Sequence, residues 1–82
     1  MKIWTRRRIQ AELMIIGALT EGELPGFTLH KRTGLDPGRM HVALARLEGT
    51  GRIISDWQDG PYPRRRLYRL ADDLALIPRE DT

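Results

Sequence analysis

From Arg8 onward the apolar positions Ile9, Leu13, Ile16 and Leu19 recur at steps of four, three and three, with Ile15 and Ala18 widening the stripe. That spacing predicts an amphipathic helix, with Thr5 as its N-cap. The pattern gives way at Thr20-Glu21-Gly22-Glu23-Leu24-Pro25-Gly26, where glycines and a proline supply turn geometry. Phe27 to Thr33 is long enough for two helical turns, closed by Gly34 as a left-handed C-terminal residue. Asp36-Pro37 then opens a third helix: Asp36 can cap free N–H groups, and proline at the first helical position loses no hydrogen bond. Met40, Ala43, Leu44 and Leu47 form the core face of that helix, which leaves Arg39, His41, Val42 and Arg46 partly or wholly outside it. Gly49-Thr50-Gly51 ends it.

The pattern then changes period. Ile53 to Trp57 is β-branched and aromatic, Gln58 to Pro63 breaks it, and Arg64 to Leu70 contains a second strand. Along that strand Tyr68 and Leu70 share one face, while Arg65, Leu67 and Arg69 share the other. The expected fold is therefore mainly α with a small β-hairpin: three helices followed by a two-stranded wing, the order of a winged helix-turn-helix. The expected divisions are a basic N-terminal extension over 1–8, the winged helix-turn-helix over 9–71, and an acidic tail over 72–82 with one helical turn before Pro78.

Composition narrows the class. The 82 residues are 40% hydrophobic and 30% charged with no cysteine, which suits one small domain without disulfides or thiolate zinc sites and points to the cytoplasm. The longest apolar run, Leu13 to Leu19, is far below the roughly 20 residues of a membrane span. Met1 to Arg8 places charge before an apolar stretch as a secretory signal would, but Glu12 interrupts the stretch from Ile9 to Leu19 and Thr20-Glu21-Gly22-Glu23 is a poor cleavage region, so the first helix is read there. The net charge of +3 is unevenly spread: residues 1–70 hold thirteen Lys or Arg against seven Asp or Glu, and the last twelve hold one against four. A basic body of this size suits an anionic partner, of which nucleic acid is the commonest.

The stretch from Gly34 to Glu48 resembles the recognition-helix segment of PadR-type winged-helix transcriptional regulators. Pro37-Gly38, Ala43-Leu44 and Arg46-Leu47-Glu48 match that pattern, as do Gly51, Ile53, Trp57 and Arg64-Arg65-Arg66-Leu67-Tyr68-Arg69-Leu70 further on. Upstream, Ile16-Gly17-Ala18-Leu19 and Gly22-Glu23-Leu24-Pro25-Gly26-Phe27 are similar to that family's first-helix ending and following turn. The resemblance covers roughly residues 9–71. His41-Val42 stands where the family usually has a tyrosine-proline pair, and the usual C-terminal dimerisation helix has no counterpart in the twelve residues after Leu70. The resemblance implies a sequence-specific regulator of double-stranded DNA, expected to be a repressor, with the third helix (36–49) in the major groove and the wing (58–66) on the flanking backbone. A homodimer is expected through a non-standard interface, with Ile3 and Trp4 packing across a two-fold axis. A minimal regulator of this kind suits a phage or mobile element.

The candidate DNA-binding residues are Gly38, Arg39, His41, Val42 and Arg46 on the third helix and Tyr62, Arg64, Arg65 and Arg66 in the wing. Arg39 lies one turn into its helix, where a guanidinium can reach guanine O6 and N7. The chain has no asparagine and its glutamines are Gln10 and Gln58, so guanine-biased readout is expected. Arg64 to Arg66 suit phosphate or minor-groove contacts, and Arg6 to Arg8 oppose the dipole of the helix they precede, which a phosphate would offset. His30 is expected on the surface of the second helix, and Trp4 and Trp57 as packing residues. His30 and His41, eleven positions apart without cysteine, make no metal-ligand grouping, and no cofactor is expected. Ser55 is the one serine and no histidine is placed beside it with an orienting acid, so no enzyme is expected; Asp72-Asp73 reads as part of the acidic tail. Two other readings stay open: an excisionase-like architectural factor that bends DNA, and a winged-helix protein adaptor or inhibitor.

Overall fold

Asp36 and Pro37 start a helix as their chemistry requires: the Asp36 carboxylate accepts from the Arg39 N–H at 2.8 Å, and Pro37 follows at the first helical position. Around this helix the computed structural model, which describes residues 3–71, arranges α1 (Ile3–Leu19), β1 (Leu24–Pro25), α2 (Gly26–Thr33), α3 (Pro37–Gly49), β2 (Ile53–Trp57) and β3 (Arg66–Leu70). None of these helices is long and apolar enough to cross a membrane. The acidic tail and its expected helical turn lie outside the described residues.

The turn between α2 and α3 is fixed by four hydrogen bonds. Gly34 adopts φ 72°, open to glycine at no steric cost, and its N–H reaches the His30 carbonyl at 2.9 Å. The Thr33 hydroxyl donates to the Leu29 carbonyl at 2.8 Å and accepts from the Leu35 N–H at 3.3 Å. His30 Nδ1 lies 2.7 Å from the Leu35 carbonyl, which can only accept, so the ring carries its proton on Nδ1. His30 is thus a partly buried staple of the turn and not the surface residue its sequence position suggested.

The wing is part of a three-stranded antiparallel sheet in the order β1-β3-β2. Ser55 and Leu24 both face Tyr68 across β3, and Pro25 faces Leu67. The two-residue β1 was not expected; it fastens the connector between α1 and α2 to the wing.

One cluster of buried side chains joins all layers: Ala11, Ile15 and Leu19 from α1, Leu29 from α2, Leu35 from the turn, Ala43, Leu44 and Leu47 from α3, and Ile53 from β2. Met40, Tyr68 and Leu70 pack against it.

Two expectations about α1 are corrected. The helix begins at Ile3, so Thr5 lies within it and caps nothing, and residues 3–8 are its first turns. The buried stripe runs through Ala11, Ile15 and Leu19, whereas Ile9 and Leu13, expected inside, are 38% and 60% exposed. The sequence holds two overlapping stripes at helical spacing, and the one containing the small Ala11 lets α3 approach closely.

Candidate nucleic-acid interface

With Ala43, Leu44 and Leu47 turned inward, helical geometry sends Gly38, His41, Val42, Ala45 and Gly49 outward, and all five are exposed. This ridge is small and largely apolar. A Cβ at Gly38 would lie 3.4 Å from Asp36 Oδ1, about van der Waals contact with the capping carboxylate.

The arginines of α3 flank the ridge and turn toward α1. Arg39 donates from its guanidinium to the Arg7 carbonyl at 3.0 Å. Arg46 donates through Nε to Glu12 at 3.1 Å, forming an exposed ion pair. Between the two helices, Arg7, Arg8 and Arg39 border an open groove of about 410 Å³ floored by Ala11, Gly38, Val42 and Ala43. Arg7 and Arg8 therefore stand beside the start of α3. The signal in the sequence was the basic run placed against the dipole of its own helix.

At the other end of α3, Glu48 accepts a hydrogen bond from the Ser55 hydroxyl and lies 3.7 Å from Arg66, which itself donates to Ser55 at 3.0 Å. This network ties the base of the wing to the helix. Arg66 also lies 5.3 Å from the centre of the Trp57 ring, and Trp57 is largely exposed, not a packing residue as expected. Nearer the tip, Tyr62 is 82% exposed and Arg64 stacks 4.7 Å from its ring centre, a cation–π arrangement that keeps the guanidinium edge open to a ligand. Arg65 is exposed and contacts the Gln58 side chain at 3.4 Å. Asp56 and Asp59 are exposed in the same hairpin and reduce its positive field. The structure thus groups the candidate residues into a ridge (Gly38, His41, Val42), two tethered flanking cations (Arg39, Arg46) and a wing set (Tyr62, Arg64, Arg65, Arg66).

Burial, together with the Glu48 carboxylate, pushes the Tyr68 phenol above its ordinary value, while Arg66 pulls it down by charge and hydrogen bonding. A raised folded-state pKa means that the neutral phenol supports the fold below pH about 10 and that this support is lost as pH rises through the folded value. Urea midpoints should therefore fall as pH is raised above about 10, and Tyr68→Phe should make that fall shallower. An equal fall in both proteins would assign the alkaline loss to other groups.

No family model matches the chain, and no curated protein sequence matches it. Solved structures do. The fold is that of a PadR-type winged helix, similar to a PadR family transcription regulator from hypervirulent Clostridium difficile R20291, with TM-score 0.71 and 24% identity over 79% of this chain and 75% of that one. A transcriptional regulator from Clostridium thermocellum matches with TM-score 0.68 and 25% identity over 89% and 76%. Bacillus subtilis PadR, solved in complex with operator DNA, matches with TM-score 0.59 and 19% identity over 90% of this chain and 49% of that one.

Proposed function

We propose, from this PadR-type winged-helix fold, that the protein is a sequence-specific transcriptional regulator that binds double-stranded DNA with α3 in the major groove and the wing, residues 58–66, on the flanking backbone. The observation that carries the reading is the exposed ridge of α3 with arginines at both of its ends, Arg7, Arg8 and Arg39 beside its start and Arg64 to Arg66 in the wing tied to its finish. Such cations neutralise phosphates and set register, while the ridge between them meets base edges. Bacillus subtilis PadR, solved in complex with operator DNA, supports DNA as the partner. Repression follows most simply, because occupying a promoter requires nothing beyond binding, and the site of action is then the cytoplasm.

One module of this type covers about 600–1,000 Å² of DNA, a small contact for a regulator, so two copies on paired half-sites are part of the proposal. The exposed apolar positions Ile3, Ile9 and Leu13 on α1 supply a surface for that pairing.

The test is fluorescence anisotropy with the duplex upstream of the protein's own coding region and a scrambled duplex, at about 50 and 200 mM salt, read for affinity and for chains per duplex. Preference for the native duplex at the higher salt, with two chains bound, is expected. Equal binding that collapses with salt would favour an architectural role, and no binding at either salt would favour a protein adaptor.

A further inference from the structure

The outward ridge of α3 lacks the groups with which proteins usually distinguish guanine and adenine. Gly38, Ala45 and Gly49 carry no hydrogen-bonding side chain, Val42 is apolar and 54% exposed, and His41 is the single polar side chain of the ridge. Arg39 and Arg46, the cations of the same helix, are engaged by the Arg7 carbonyl and the Glu12 carboxylate of α1. What the ridge does present is a row of methyl groups: those of Val42 and, one turn on, of Ala45. In the major groove the apolar feature on a base edge is the 5-methyl group of thymine, and small aliphatic side chains are its usual partners.

We propose that Val42 and Ala45 are specificity-determining residues that recognise 5-methylpyrimidines, so that base preference comes from methyl contact and not from a guanidinium on guanine. The inference rests on the placement of α3 in the major groove proposed above. Gly38 and Gly49 contribute by bulk: with no side chain at either end of the ridge, the two methyl-bearing positions approach the groove floor unobstructed. Arg39, held across the start of α1, is then a phosphate-side group together with Arg7 and Arg8. Burying one methyl is worth about 0.8 kcal/mol, which converts to about a fourfold change in affinity.

The experiment uses the full chain and a duplex selected from a random pool, with each thymine replaced in turn by deoxyuridine and each guanine by 7-deazaguanine. Deoxyuridine removes the methyl alone, and 7-deazaguanine removes the N7 acceptor that an arginine needs. One or two thymines per half-site should each lose about fourfold on replacement, and the 7-deazaguanine series should be flat. Val42→Ala, at an exposed helical position where alanine is the best helix former, keeps the fold and should abolish the deoxyuridine penalty at one position while leaving others intact. A flat deoxyuridine series on a duplex that binds tightly would overturn the proposal, and a penalty unchanged in Val42→Ala would overturn it by assigning the effect to DNA shape. If no duplex is selected at all, the groove placement of α3 falls with it, which separates the two failures.

Discussion

Replacing Arg64 and Arg65 together by alanine should weaken binding to every duplex alike, by roughly tenfold for each charge at 0.1 M salt, and flatten the slope of log K against log salt by about 1.8. Both side chains are exposed, and their described partners are neutral: the Tyr62 ring for Arg64 and the Gln58 amide for Arg65. Removing them breaks no contact with the buried cluster, so the fold is expected to persist and the loss to be electrostatic. Arg66 is a different case, because it holds Ser55 and faces Glu48, so Arg66→Ala would disturb the wing itself. Anisotropy titrations with the selected duplex and a scrambled one at several salt concentrations distinguish the outcomes. A loss confined to one duplex would mean that the wing reads sequence.

The largest effect on stability is expected from Leu29→Ala. An isolated eight-residue helix is marginal in water, so α2 depends on tertiary packing, and Leu29, with no exposed surface, is its one buried residue. Truncation should cost about 2–5 kcal/mol through lost transfer energy and the cavity left behind. For a domain of this size each kcal/mol lowers Tm by roughly 4–8 °C, so a drop of about 8–40 °C is anticipated in a thermal melt. The turn would suffer with the helix, because Thr33 and His30 keep their bonds to the Leu29 and Leu35 carbonyls while α2 stays docked. DNA binding should then fail at temperatures where the native protein still binds. A Tm shift of a few degrees would show that β1 and the turn bonds hold α2 without its core anchor.

The features legible in the sequence are those whose cause is local. Asp36 and Pro37 fix the start of α3 through a cap and a pre-set φ, and Gly34 marks the end of α2 because the left-handed region favours glycine. The change from helical spacing to β-branched residues at Ile53 announced the hairpin. Features created by a distant partner were not legible. Strand β1 is two residues long and exists only as a pairing with Tyr68 and Leu67, far along the chain. In α1 two stripes compete, and the choice between them is made by α3. The same holds for the candidate site. Exposure of His41 and Val42 and the basic wing followed from periodicity, whereas the tethering of Arg39 and Arg46 needed α1 in place.

Pro25 gives β1 a further consequence, for how copies of the chain meet at high concentration. A sheet edge with unpaired N–H and C=O groups invites a strand from another molecule, and repeated addition is the route to fibrils. Here that edge is two residues long and one of them has no N–H to offer. The sheet is terminated on the β1 side at the cost of a single imino acid. Pro25→Val would restore the missing donor and weaken that border against addition of a strand from another molecule.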